Sequence, residues 1–67
     1  MRLSARNQLK KKIVEVKKGT TTAHVRIDIG GAIVTSSITN ATVDDLDLHV
    51  GDDAWVVIKA SDVMIGK

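Results

Sequence analysis

Two short runs near opposite ends of the chain hold the residues best suited to chemistry: Ser4-Ala5-Arg6-Asn7-Gln8-Leu9 and Lys59-Ala60-Ser61-Asp62-Val63-Met64. Together they supply a guanidinium, an ammonium and several hydroxyl and amide donors, a set for holding an anion more than for making or breaking a bond. A tetrahedral dianion needs about two compensating charges and short donors aimed at its oxygens, because a desolvated, unpaired ion is prohibitively costly. Arg6 and Lys59 meet the first demand. Ser4, Thr39, Thr42 and the backbone N–H groups of Ala5, Arg6 and Ala60 meet the second. The run Lys17-Lys18-Gly19-Thr20-Thr21-Thr22 is also rich in donors and charge, and is either a second anion site or a solvated hairpin tip.

Strands have to position these groups. Residues 22–29 alternate strictly, with Ala23, Val25, Ile27 and Ile29 on one face and Thr22, His24, Arg26 and Asp28 on the other, which predicts a strand with one buried side. Residues 9–16 are β-like as well, and Lys18-Gly19-Thr20-Thr21 between them predicts a hairpin in which Gly19 can supply a positive φ. Gly30-Gly31 leads into a third strand over residues 32–38. From Thr39 the pattern changes: hydroxyls that can cap, acids in the first turn, and Val43 and Leu46 at helical spacing predict one short helix. Val50-Gly51-Asp52-Asp53 reads as a turn, residues 54–59 as a strand and residues 63–65 as a short final one. This order is that of an all-β, OB-like five-stranded Greek-key barrel with a short helix between the third and fourth strands, in one domain over residues 1–67. Residues before Ser4 are expected to be loose or to lie on a partner.

A 67-residue chain buries only about 60% of its unfolded surface, so its stability needs support. With no cysteine and no plausible metal cluster, oligomerisation is left. The 43% hydrophobic content is nearly all aliphatic, Trp55 being the only aromatic residue, and some of that surface should close against other copies. No apolar run approaches the roughly 20 residues of a membrane helix, and no signal-peptide pattern is visible. The expected compartment is the cytoplasm, with no membrane partner. The net charge of +2 conceals a polarity: residues 1–26 hold eight cations against Glu15, net +7, and residues 27–67 hold two against seven aspartates, net −5. The two halves can attract each other, within one subunit or between neighbours, as readily as the basic half attracts anions.

Both runs, at this separation, closely resemble the molbindins, small molybdate- and tungstate-binding proteins whose fold recurs in molybdate-responsive regulators and molybdate transporters. The resemblance covers essentially the whole chain. It implies that Ser4 and Arg6, Thr39 at the strand-to-helix junction, and Lys59 with Ala60 are oxyanion-contacting positions, with Ala5 contributing backbone; Thr42 matches a hydroxyl position more loosely. It also implies molybdate or tungstate as ligand, no covalent cofactor, sites at the subunit interfaces of a homo-oligomer (a hexamer), and storage or buffering as the role. Further sites near the symmetry axes are part of the implication, and Gly19, Thr20, Thr21 and Thr22 are the candidates for them. Asn7 and Gln8 belong to the same signature but read as structural. The chain departs from the family pattern at Lys11 and Asp47, both places where glycine is common.

Other functions find less support. His24 and His49 have no companions at metal-ligand spacing, and the aspartates lack the alternation and terminal glutamate of a calcium loop. No Ser/His/Asp or Cys/His constellation and no phosphate-cradling glycine loop occurs, so no enzyme activity is expected. OB barrels also bind single-stranded nucleic acid through stacked aromatics, and Trp55 alone is no stacking platform, so nucleic acid is not an expected partner. A purely structural, self-assembling regulatory domain is the third reading. It is separated from the first by whether the assembly binds an oxyanion at all.

Overall fold

The computed structural model describes residues 2–67. Its strands are β1 (Asn7–Lys18), β2 (Thr22–Asp28), β3 (Ile33–Thr39) and β4 (Asp53–Ile58), with one helix, α1 (Asn40–Asp45), between β3 and β4. All neighbours are antiparallel and the spatial order is β3-β2-β1-β4. The last strand thus returns beside the first, the Greek-key arrangement.

β1 is the spine because it changes partner along its length. Its first half pairs with β4, from Asn7↔Ile58 to Lys12↔Asp53; its second pairs with β2, from Lys12↔Asp28 to Lys18↔Ala23. The ladders overlap only at Lys12, and the sheet curls into a half-barrel. A bulge between Ile13 and Glu15 leaves Val14 unopposed. This one-residue offset lets Ile13 and Val16 both face inward although they are three apart. β2 keeps the alternation read from its sequence, with Ala23, Val25 and Ile27 buried. Ile13, Val56 and Val43 of α1 complete the core, and Ile29, half-buried, packs against it.

Three expectations are corrected. Gly19 does not have a positive φ, unlike Gly30 and Gly31, which do at +93° and +100°. It is glycine for space: a Cβ there would lie 2.9 Å from the Thr22 carbonyl oxygen. No acid lies in the first turn of α1; Asp44 and Asp45 sit at its end, because Thr39 caps the helix and starts it at Asn40. Finally, residues 63–65 form no strand. After β4 the chain turns through a 3-10 segment, Ala60–Asp62, which carries it off the sheet, and Met64 and Ile65 are over 90% exposed. The sheet therefore has four strands. Of the residues before Ser4, Met1 lies outside the described residues, while Arg2 and Leu3 are exposed and irregular.

Candidate oxyanion site

The β1·β4 ladder ends at Asn7↔Ile58, so Arg6 and Lys59 flank its last pair, with Ser4 and Ala5 preceding Arg6 and the 3-10 segment Ala60–Asp62 following Lys59. Two side chains of the first run hold this end in place. Asn7 Nδ2 donates to the Ile58 carbonyl at 3.1 Å, and Gln8 Nε2 donates to the Ala5 carbonyl at 2.9 Å. Both carboxamides fix backbone. Arg6, Lys59 and Ser4 are exposed, and among the described residues no carboxylate pairs with either cation.

Other cations are partly neutralised within the chain. Lys12 pairs with its cross-strand neighbour Asp53 at 2.9 Å, Lys18 with Asp44 at 2.5 Å and Arg26 with Glu15 at 3.8 Å. The first two join the basic half of the sequence to the acidic half. The hydrogen bond and charge of Lys12 hold the Asp53 carboxyl below the usual aspartate range. His24 is exposed on β2, and His49 in a turn meets Asp47 at 2.7 Å.

The hydroxyl-rich residues gather elsewhere. Thr39 pairs with Thr22 at the far end of the sheet. Its Oγ1 accepts from the Thr42 N–H at 3.1 Å and lies 2.7 Å from Thr42 Oγ1, so both hydroxyls are engaged in the helix cap. The turn of residues 19–22 abuts them: the Asn40 N–H donates to the Thr21 carbonyl at 2.9 Å, and the Asn40 side chain reaches the carbonyls of Gly19 and Thr20. One chain thus forms two groups, residues 4–6 with 59–60 at the start of β1, and Thr39 and Thr42 with residues 19–22 at its end. The twelve residues of β1 run between them. Among the described residues no hydrogen bond or ion pair joins the groups. Asn40 is the residue that sequence reasoning missed. Its only signal was an amide at the position after the cap.

The chain is thus a small, curled OB-like domain whose exposed polar groups, at two ends of β1, offer charge and hydrogen-bond donors. The TOBE domain model matches residues 3–65. Molybdenum-pterin-binding protein 3 of Clostridium pasteurianum is 52% identical over 66 residues, covering 97% of each chain. The solved molybdate-binding protein of Sporomusa ovata is 36% identical with a TM-score of 0.93 over the full length of both chains. The cytoplasmic molybdate-binding protein ModG, solved with molybdate bound, is 38% identical over 96% of this chain and 46% of its own, with a TM-score of 0.88. The chain belongs to the TOBE-domain family, among the molbindins, whose role is binding and not catalysis.

Proposed function

We propose that this protein binds molybdate, and tungstate equally, at interfaces between its own copies, and stores and buffers the anion in the cytoplasm. The observation that carries this reading is the end of the β1·β4 ladder, where Arg6 and Lys59 flank the last pair, Asn7↔Ile58, with no carboxylate partner among the described residues. Like charges gathered at one place repel until something negative lies between them, and a dianion offsets both. Residues 4–6 and 59–60 supply charge and backbone donors, while Thr39 and Thr42 at the other end of β1 supply hydroxyls. The separation of these groups within one chain supports a composite site in which one copy brings the cations and another the hydroxyls. Exposed aliphatic residues, among them Leu46, Val50, Val57 and Val63, supply surface for such contacts, and a hexamer is the assembly the family suggests.

Selectivity follows from a lining made of donors. Hydrogen phosphate carries its own O–H and needs an acceptor, so it should bind worst; sulfate is fully deprotonated near neutrality and is disfavoured only by its smaller size. Native mass spectrometry with and without molybdate, followed by competition at fixed ionic strength, tests the reading. The expected result is an oligomer carrying bound oxyanion, with tungstate competing like molybdate, sulfate well below and phosphate lowest. An assembly that takes up no oxyanion would leave a structural module. Phosphate competing as well as molybdate would require an acceptor in the lining.

A further inference from the structure

The turn of residues 19–22 has an unusual balance of hydrogen-bonding groups. All four of its carbonyl oxygens are occupied. Asn40 Nδ2 takes those of Gly19, at 2.9 Å, and Thr20, at 3.3 Å; the Asn40 backbone N–H takes that of Thr21; and the Gly19 N–H takes that of Thr22 at 2.8 Å. The N–H groups of Thr20 and Thr21, by contrast, make no hydrogen bond among the described residues. The turn is exposed, and beside it lies a shallow cleft lined by Lys17, Lys18, Gly19, Thr22 and His24. With each carbonyl already accepting one hydrogen bond and two N–H groups free, this exposed loop has donors and the Lys17 ammonium to offer a ligand.

We propose that Asn40 is the positioning residue that makes this turn selective for fully deprotonated anions, by occupying the carbonyls that would otherwise accept a proton-bearing ligand. The proposal rests on the reading of the turn as a further oxyanion site and adds what sets its preference. A purely structural role explains Asn40 less well. Its Oδ1 is buried and has no partner, so part of what its donors contribute to stability is lost again to an unsatisfied acceptor. What its side chain does achieve is the masking of two carbonyls.

The test follows the Thr20 and Thr21 amide resonances of the 15N-labelled full chain during titration with sodium molybdate and, separately, inorganic phosphate at pH 7. The wild type is compared with Asn40→Ala and Asn40→Asp, and the thermal midpoint of each is recorded. In the wild type both amides should shift with molybdate and scarcely with phosphate. In Asn40→Ala the freed carbonyls should lower the molybdate-to-phosphate affinity ratio at these amides by about tenfold, the worth of roughly one hydrogen bond. Asn40→Asp, which sets a carboxylate against the carbonyls, should lose molybdate binding there outright. A structural role would lower the thermal midpoint and leave the ratio unchanged, which overturns the proposal while the turn remains an anion site. Wild-type amides that fail to move overturn both. Should neither variant fold, the wild type still decides: molybdate must bind at the Thr20 and Thr21 amides at least about tenfold more tightly than phosphate, and equal affinities overturn the proposal.

Discussion

Arg6 and Lys59 stand out among the ten Lys and Arg residues because both lie next to the last pair of the β1·β4 ladder, Asn7↔Ile58, and neither meets a carboxylate. Removing one partner of a desolvated charge pair costs about 3–5 kcal/mol, so Arg6→Ala or Lys59→Ala should weaken molybdate binding by at least about a hundredfold. Lys11→Ala and Lys67→Ala should change it little. Calorimetry of the four variants checks this, and equal losses at all four would mean diffuse attraction to a basic surface. The same Arg6→Ala change should leave the anion-free protein at least as stable as before, because it removes one of two neighbouring like charges. Asp53 offers a different residue-scale test. Lys12 lowers its folded-state pKa below the unfolded value, so the pair's contribution is present above about pH 4 and disappears as pH falls through the lowered folded value. Both groups are exposed, and the contribution is small. In Lys12→Ala the Asp53 carboxyl titration followed by NMR should move up toward the ordinary range; an unmoved midpoint would assign the shift to some other neighbour.

Among the elements, the hairpin turn between β1 and β2 carries the sharpest steric constraint. Alanine at Gly19 would force its Cβ against a backbone oxygen that cannot swing away, so Gly19→Ala should destabilise by about 1–3 kcal/mol, as overpacking does. Gly66→Ala, with nothing within 4 Å, should be neutral in the same urea titration. The sequence identified that glycine correctly but gave the wrong reason, because close approach to Thr22 is a tertiary fact that turn propensities do not carry. The strands, by contrast, were legible wherever burial alternates. The pattern of β2 marks its bounds almost to the residue because every second side chain enters the core. That of β1 marks only residues 9–16 of Asn7–Lys18: beyond its core-facing middle the pairing depends on β4 and the hairpin, and local pattern does not register either. The segment 63–65 looks like a strand in composition, yet the 3-10 turn over Ala60–Asp62 carries it off the sheet and it pairs with neither edge strand. Asp47 shows a resemblance carrying information that propensity lacks. It stands where glycine is common, and its φ of +51° is the left-handed region glycine prefers. For the candidate site, residue types were readable while their grouping was not. Arg6 and Lys59 are 53 positions apart in sequence, and only the β1·β4 register makes them neighbours.

At the scale of the molecule the core is thin: among the described residues six side chains are buried, while eleven large hydrophobic residues, Trp55 among them, remain exposed. Such a balance suits a chain whose stability is shared with its neighbours. Sedimentation at micromolar concentration should give an oligomer, expected to be a hexamer. A stable, folded monomer would refute both this and the interfacial site. The partner change of β1 at Lys12 also has a kinetic side. The β1-β2-β3 meander closes through short turns, whereas β4 must find β1 across 51 residues at the Asn7–Ile58 contact. Closing that long loop is the entropically expensive step and should come late. The step that seats β4 also brings Arg6 and Lys59 together, so an anion gripped by them meets a chain already past its folding barrier. Saturating molybdate should therefore lengthen the lifetime of the native state by slowing unfolding, with almost no effect on how quickly the chain first folds.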